Sequence, residues 1–471
     1  MKNPRRRGLL GLSLALALVL AACGGDTTDT TAAGGTDTTA ADGTDTTAAD
    51  GTETTAADGT GTTASASGSA ADACAADEFG CVEYAEGEPI TIGSLLVISG
   101  ANASLGTDSQ YGVELAADYI DGSFDGEAGQ FMGRDVAFNH QDDGCSAEGG
   151  QAGAQALASD EKVVAVIGTS CSSAALGVAD TILSDRGIAI ISPSNTGPAL
   201  TDPAQHQEFY LRTAHNDLIQ GAAVANFAAE RGITSAATIH DGSPYADGLQ
   251  QAFADVFSST GGTITKQEAI QVGDTDFNSV LTDIAADSPQ MLYFPIFVAE
   301  GGLITQQARA IPEMAETVLA GSDGMFTPDW ITAAGAENAN GVYISGPDLT
   351  ALADPEFYDQ QFLPEYEERF GSEPQSVFHA HAFDATNLVF QAIEDVAIEE
   401  EGTLFIPRTA LKDALYAVEG YQGVTGTLTC DDNGDCQSTA TMAIVVVEDG
   451  EFSTEPVFSQ TINLADVQGG G

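Results

Sequence analysis

The chain has 471 residues, 70 of them Asp or Glu against 14 Lys or Arg, for a net charge of −56. So anionic a surface repels nucleic acid and anionic lipid headgroups, which excludes polyanion binding as its task. The acids are spread along the whole chain, as in a surface acidified for solubility; attraction of cationic ligands is the alternative reading.

Arg5-Arg6-Arg7 give a positive start, and Gly8 to Ala22 then run without a charge. That apolar run is about 15 residues, short of the roughly 20 a helix needs to cross a bilayer, so it reads as an export signal. Leu20-Ala21-Ala22-Cys23 reads as a lipobox, and the mature chain is expected to begin at Cys23 with its thiol acylated. Two or more acyl chains, at about 0.8 kcal/mol per CH₂, anchor a protein stably to a membrane. An ordinary signal peptide with an incidental cysteine is the competing reading, and Arg6-Arg7 leaves twin-arginine export open beside the general route.

Residues 23–73 read as the lipidated cysteine and a tether. Thr36-Asp37-Thr38-Thr39-Ala40-Ala41-Asp42-Gly43 repeats over 44–51 and again, with slight variation, over 52–59. Without Leu, Ile, Val, Phe or Trp, residues 26–73 cannot offset their own ordering entropy. As a flexible coil they span on the order of 35–40 Å. Beyond Cys23 there are six cysteines, which allow 15 pairings. Their local spacings suggest Cys74–Cys81, Cys145–Cys171 and Cys430–Cys436, disulfides suited to an oxidising compartment.

From residue 90 onward, apolar β-branched runs alternate with segments of helical period. Strands are expected over Ile90–Val97, Asp135–Asn139, Val163–Ile167 and Ile188–Ile191, with helices over Thr107–Ile120, Glu148–Ser159 and Ser173–Ser184 between them. The rhythm resumes with helix Ile219–Arg231, strand Ser235–Ile239, helix Ala246–Ser259, strand Thr263–Ile270, helix Phe277–Ala286 and strand Met291–Pro295. After strand Gly341–Ser345 come helical stretches Pro355–Phe370, His379–Val396 and Thr409–Val418, then strands Gly426–Cys430 and Thr441–Val447. The length suits two lobes, and the alternation specifies an α/β fold of doubly wound parallel sheets. Ligands in such folds sit at the carboxyl ends of strands. The loops to inspect are therefore Ser99–Asp108, Gly168–Ser173, Ser192–Thr196, Ile239–Tyr245 and Ala320–Thr327. Their Ser, Thr, Asn and Asp residues read singly as helix caps and jointly as a carboxylate-binding site.

Signatures of catalysis are missing. The only lysines beyond the signal, Lys162, Lys266 and Lys412, are not followed by Ser or Thr, so there is no P-loop; there is also no HExxH and no GxSxG. His379-Ala380-His381 is too close-spaced to share a helix face, and Asp431-Asp432-Asn433-Gly434-Asp435 lacks the ligand spacing of a calcium loop and reads as a turn closed by Cys430 and Cys436. No metal and no cofactor are expected, and no enzyme activity; a hydrolase on a similar scaffold would need a nucleophile–base pair that is not visible.

An ordered series of motifs resembles the bacterial branched-chain amino-acid (Leu/Ile/Val) binding proteins, the type I periplasmic receptors of ABC importers. It runs from Ile92-Gly93 and Ser99-Gly100 through Tyr111-Gly112-Val113-Glu114-Leu115-Ala116, Asp142-Asp143-Gly144-Cys145 and Cys171-Ser172-Ser173 to Ile191-Ser192-Pro193-Ser194-Asn195-Thr196. Phe209 to Thr213, Gly273-Asp274-Thr275-Asp276-Phe277 and Phe383-Asp384-Ala385 continue it, so that it covers about 88–450.

The resemblance implies two lobes joined by three crossings, one of 88–215 plus 348–440 and one of 216–347 plus 441–471, closing on a ligand. It implies that Ser172 and Thr196 hold a ligand α-carboxylate, with Asn195 in the same loop. The Ser194 carbonyl accepts from the α-ammonium, Asp323 faces that ammonium, and Tyr245 covers the ligand from the second lobe. Asp323 stands where Glu is usual. Leu105 and Phe297 depart from positions that are commonly aromatic and Tyr, so the side-chain pocket differs. The implied partners are an amino acid or amide-like small molecule and ABC permease subunits, with membrane contact through the lipid anchor alone, no nucleic acid, and a monomeric receptor outside the cytoplasm. A sensory receptor of the same fold, without transport, is the alternative.

Overall fold

The computed structural model describes residues 69–468. The signal, Cys23 and the repeated segment lie outside the described residues.

The described chain begins with a clasp. Ser69 caps a helix over Ala70–Ala76: its hydroxyl accepts from the Asp72 N–H while the Asp72 carboxylate accepts from the Ser69 N–H, a reciprocal capping box. Ala70 is buried and its N–H donates to Glu400 at 3.0 Å. Ordered structure thus starts before residue 74, and the tether expected to reach residue 73 is shorter by at least these capped residues. Cys74 is bonded to Cys81, which opens strand β1 (Cys81–Tyr84).

The first sheet follows: β2 (Ile90–Leu96), β3 (Gln130–Phe131), β4 (Arg134–Asp142), β5 (Val163–Gly168), β6 (Ala189–Ser192) and β7 (Tyr210–Arg212), in the order β3-β4-β2-β5-β6-β7. All its pairs are parallel except the β3–β4 edge. Every residue of β5 and β6 is buried, as expected for strands covered on both faces. The second sheet contains β8 (Ser235–His240), β9 (Thr263–Ala269), β10 (Met291–Tyr293), β11 (Val318–Gly321) and β12 (Tyr343–Pro347), paired in parallel as β12-β11-β10-β8-β9. The chain then returns to the first lobe, where β13 (Ile398–Glu400) and β14 (Thr403–Pro407) add to β1 as an antiparallel trio, and β15 (Tyr421–Gln422) and β16 (Thr427–Leu428) form a small hairpin. Finally β17 (Thr439–Glu448), β18 (Glu451–Phe452) and β19 (Phe458–Asn463) extend the second sheet antiparallel at its β12 edge.

The fold is therefore that of a type I periplasmic binding protein: two doubly wound α/β lobes between which the chain passes three times, after β7, after β12 and before β17. Helix His379–Val396 packs against helix Ala103–Asp118 in the first lobe. A Cβ at Gly112 would lie 2.1 Å from the His379 carbonyl oxygen, so only glycine permits this approach. At the same place His379 Nδ1 meets Asp108 at 2.9 Å and its Nε2 meets the Tyr358 hydroxyl at 2.6 Å. His379 thus belongs to a buried polar network of the core, and His381 is buried two residues further along the same helix. Asp431 Oδ1 accepts from the N–H groups of Asn433 and Asp435, so the acidic run is a turn closed by Cys430–Cys436.

Two expected helices are interrupted. Gly177, at φ +71°, breaks 173–184 after Ala175, leaving a separate turn over Asp180–Ser184; Tyr358–Phe362 forms a widened π-type turn inside 355–370. Helix Val298–Arg309 and strand β11 lie where the periodicity gave no expectation. Among the described residues no helix is long and apolar enough to cross a membrane.

Candidate functional site

Six loops at the carboxyl ends of β2, β5, β6, β8, β10 and β11 carry the predicted residues. Local chemistry shapes each one. The Ser192 hydroxyl accepts from the Asn195 N–H at 2.9 Å and donates to the Thr169 carbonyl at 2.7 Å, turning the chain sharply after β6. Asp143 accepts from the Cys145 and Ser170 N–H groups, both at 2.7 Å, and Cys145 is bonded to Cys171. Asp142 accepts from the Ile98 and Gly144 N–H groups and from the Ser99 hydroxyl. These two neighbouring acids tie down the loops after β2 and β5.

Ser172 and Thr196 are both buried. The Ser172 hydroxyl accepts from the Gly197 N–H at 3.2 Å, whereas the Thr196 hydroxyl has no hydrogen-bond partner. Ser194 donates its hydroxyl to the Ser170 carbonyl at 3.1 Å. Asn195 turns its side chain into the scaffold, donating to the Thr169 hydroxyl at 3.0 Å. Its backbone carbonyl and that of Gly197 accept from Arg212 at 3.1 and 3.0 Å.

The second lobe supplies Tyr245, Phe297 and Asp323. Ser243 caps the helix Pro244–Ser259, with Pro244 in its first turn, and places Tyr245 at the cleft. The Tyr245 hydroxyl donates to Asp323 Oδ1 at 2.8 Å, accepts from the Gly324 N–H at 3.2 Å, and lies 2.6 Å from the Ser322 hydroxyl. Its ring packs on Phe297 with centroids 5.1 Å apart. Leu105, Val97 and Cys171 of the first lobe join Tyr245 and Phe297 in one continuous buried apolar cluster. Across the same seam the Thr327 hydroxyl bonds to that of Ser104 at 3.2 Å. The predicted residues of both lobes therefore converge, except for the Asn195 side chain. A separate apolar pocket of about 250 Å³ at the crossings, lined by Phe326, Pro347, Leu349, Val377 and Phe452, holds none of them.

Sequence reasoning missed the residues that complete the site. Helix Asp217–Glu230 starts at the first crossing, capped by Asn216, whose Oδ1 accepts from the Leu218 N–H. Its Gln220 donates to Asp323 Oδ1 and to the Ser345 hydroxyl, each at 2.9 Å. Gln220 Oε1 lies 2.7 Å from His215 Nε2, so that nitrogen carries the proton and donates. Burial lowers the His215 pKa to about 4 and keeps the ring neutral. Asp217, one turn before Gln220, is fully buried, and neither carboxylate oxygen has a hydrogen-bond partner. Burial, and then the neighbouring Asp323 charge, push its pKa well above the ordinary carboxylate range. Burial likewise raises Asp323, opposed by the hydrogen bonds from Tyr245 and Gln220. The Asn216-Asp217-x-x-Gln220 pattern, a cap followed by two polar residues on one helix face, was the available signal.

Two doubly wound α/β lobes that bury hydroxyls and carboxylates in the loops between them have the architecture of a solute-binding protein. The chain belongs to the periplasmic binding protein family, whose model matches residues 89–451. It is a binding protein and not an enzyme. Leu/Ile/Val-binding protein homolog 3 of Brucella melitensis is 28% identical over 362 residues, 76% of this chain and 91% of that one. The Leu/Ile/Val-binding protein of Escherichia coli K12 is 29% identical over 266 residues, 55% and 68% of the two chains. Among solved structures, the branched-chain amino-acid transporter substrate-binding protein LivJ of Streptococcus pneumoniae, in complex with isoleucine, superposes with a TM-score of 0.66 at 26% identity, covering 80% of this chain and 99% of that one. A leucine-binding protein of Thermotoga maritima shares the fold, with a TM-score of 0.67 at 24% identity and the same coverage.

Proposed function

We propose that this protein is the exported, lipid-anchored receptor of an ABC importer, and that its two lobes close on a small amine-bearing solute of the amino-acid class. The observation that carries this reading is Asp323. It is a buried carboxyl group of the second lobe held by Tyr245 and Gln220, while the first lobe buries the Ser172 and Thr196 hydroxyls. An ammonium between Asp323 and those hydroxyls would gain charge-assisted hydrogen bonds. Leu105 and Phe297 offer an apolar wall for a side chain.

Three further points support the reading. The relatives named for leucine, isoleucine and valine match most of their own length. The Ser104–Thr327 bond joins the two lobes across the seam, as a closed form requires, and ligand favours closure only by binding that form better. Leu20-Ala21-Ala22-Cys23 reads as a lipobox, so acyl chains on Cys23 would hold the receptor beside its permease subunits, as a monomer. The test is calorimetry of the mature protein against amino acids and their amides. Micromolar binding, about −8 kcal/mol, that vanishes in Asp323→Ala is expected, and unchanged affinity in that variant would remove the ammonium role. Fatty-acid labelling lost in Cys23→Ser is the matching test of the anchor.

A further inference from the structure

We propose that the first lobe carries a second ligand site, separate from the cleft loops: a cavity walled by aromatic rings over a buried carboxylate, which takes a small cation of the methylated-ammonium class. It stands independently of the reading of the Asp323 seam, because none of its residues belongs to that seam.

The cavity holds about 230 Å³ and is walled by Tyr119, Phe357, Phe383 and Tyr421. Three of these rings converge from separate stretches of chain. The Tyr119 centroid lies 5.0 Å from that of Phe357 and 6.0 Å from that of Phe383, and the latter two are 5.9 Å apart. Tyr119 ends helix Ala103–Asp118, Phe383 lies in helix His379–Val396, and Tyr421 comes from β15.

Asp384 supplies the charge. It is fully buried, next to Phe383 in the chain, and lines the same cavity. Its Oδ1 accepts from the Val424 N–H at 2.9 Å, and its Oδ2 from the Thr425 N–H at 2.9 Å and the Thr425 hydroxyl at 2.6 Å. A Cβ at Gly423 would lie 2.5 Å from that Oδ2, so the hairpin reaches the carboxylate only because the residue is glycine. These donors fix the group without neutralising its charge: among the described residues no Lys, Arg or His pairs with it. Burial raises its pKa to about 6 against those hydrogen bonds, so at pH 8 it is ionised. The Tyr421 phenol is pushed up as well, by burial and then by the Asp384 charge, which puts that ring within reach of the carboxylate.

The chemistry selects the ligand. A carboxylate offers about four acceptor positions, and three of those on Asp384 are taken. An ammonium with three N–H donors would find only one of them open. A metal ion needs several oxygens, and among the described residues no three His, Cys, Asp or Glu side chains gather to hold one. A methylated ammonium asks for neither: it donates no hydrogen bond, and ring faces and a nearby carboxylate attract its spread-out charge. An apolar cavity of about 150 Å³ suffices for benzene, so this one admits a trimethylammonium head. Asp354 also lines the cavity and is exposed, so it marks the mouth. A phosphate or carboxylate on the tail of the ligand would be repelled there, whereas the net charge of −56 favours the approach of cations.

The experiment is calorimetry of the full mature protein at pH 8 with three probes: choline, its uncharged isostere with a tert-butyl group in place of trimethylammonium, and phosphocholine. Choline should bind about tenfold more tightly than the isostere, and more tightly than phosphocholine. Tyr421→Leu should weaken choline about tenfold, while Asp323→Ala, in the cleft, leaves choline binding as it was. Asp354→Asn keeps a helix-capping side chain, so it folds even where Tyr421→Leu does not, and it should narrow the gap between choline and phosphocholine. Absence of choline binding overturns the inference. So does an isostere that binds as well as choline, which would show an apolar pocket only. Choline binding lost in Asp323→Ala and kept in Tyr421→Leu would assign it to the cleft, and an unchanged gap in Asp354→Asn would overturn the placement at this mouth. Amino-acid titrations test the cleft separately, so failure here and failure there are distinct results.

Discussion

Arg212 and Asp435 form a buried ion pair that ties a disulfide-closed turn to the loop bearing Thr196. Arg212 also exchanges backbone hydrogen bonds with that turn: its N–H donates to the Gly434 carbonyl at 2.9 Å and its carbonyl accepts from the Cys436 N–H at 3.0 Å. The 430–436 turn is thus a buttress. It holds a guanidinium whose Nη1 donates to both the Asn195 and Gly197 carbonyls.

Removing one partner of a buried pair leaves an uncompensated charge, at about 3–5 kcal/mol. Asp435→Ala should lose that much in chemical denaturation, and any remaining folded protein should bind ligand more weakly because the Thr196 loop is no longer held. A loss below about 1 kcal/mol would show that the guanidinium finds other partners.

Tyr245→Phe removes a donor to Asp323 while keeping the ring against Phe297. A hydrogen bond to a charged group contributes about 1.5–3 kcal/mol, so affinity should fall roughly ten- to hundredfold with little change in melting temperature. Equal affinity would mean that the hydroxyl only fills space.

The Ser104–Thr327 bond spans the lobes, and Ser104→Ala should weaken the closed form by about 1 kcal/mol. The expected signs are about fivefold weaker ligand binding and a larger unliganded radius of gyration by small-angle scattering. Identical scattering and affinity would show that this bond does not bear on closure.

Stability should rise on mild acidification. Burial pushes Asp143 up to about 7, and Asp180 and Asp384 up to about 6, against opposing backbone hydrogen bonds. Each folded value lies above the unfolded value of about 3.9. Between about pH 4 and 7 the native state therefore holds protons that the unfolded chain lacks, and stability falls as pH rises through that window. Relief of self-repulsion at −56 acts in the same sense. Asp108 opposes it only at lower pH: against its burial penalty, His379 and its hydrogen bonds hold it below the usual range, so its contribution is lost on stronger acidification. His215 and His381, which burial pushes down to about 4 and about 3, oppose this below about pH 6.5, where the unfolded chain binds protons that the native rings do not. Melting temperature should therefore climb from pH 8 to about 6 and flatten below it, and Asp143→Asn should reduce the climb.

Cys145–Cys171 closes a loop of 26 residues in sequence separation, so in the chain-entropy model its removal costs about 3 kcal/mol. The double serine variant should melt lower and bind more weakly, since Cys171 immediately precedes Ser172. Free thiols at both positions in the native protein would contradict the pairing.

Much of this was legible before any coordinates. Val163–Ile167 and Ile188–Ile191 announced themselves as strands because nothing polar interrupts them, whereas the helix expected over Ala246–Ser259 starts two residues earlier, at Pro244, because Ser243 caps it. What stayed hidden depends on distance in space. Asp217 and Gln220 look like ordinary first-turn polar residues until the crossing brings them to Asp323, which lies a hundred residues later. Asn195 sits between Ser194 and Thr196 in the predicted loop and yet turns its side chain into the scaffold, because Thr169 waits behind it. Gly177 breaks a helix that its neighbours' period would have continued. The residues 69–73 carry the alanine-rich composition of the segment before them, and only the Ser69–Asp72 capping box and the burial of Ala70 set them apart.

The clasp at the start of the domain has a mechanical consequence. A pull applied ahead of Ser69 would be taken up by the Cys74–Cys81 bridge and by strand β1, zipped along its length to β14. That load path runs through the first lobe alone and stays clear of Tyr245, Phe297 and Asp323. The half that would swing is therefore spared the strain that enters the other.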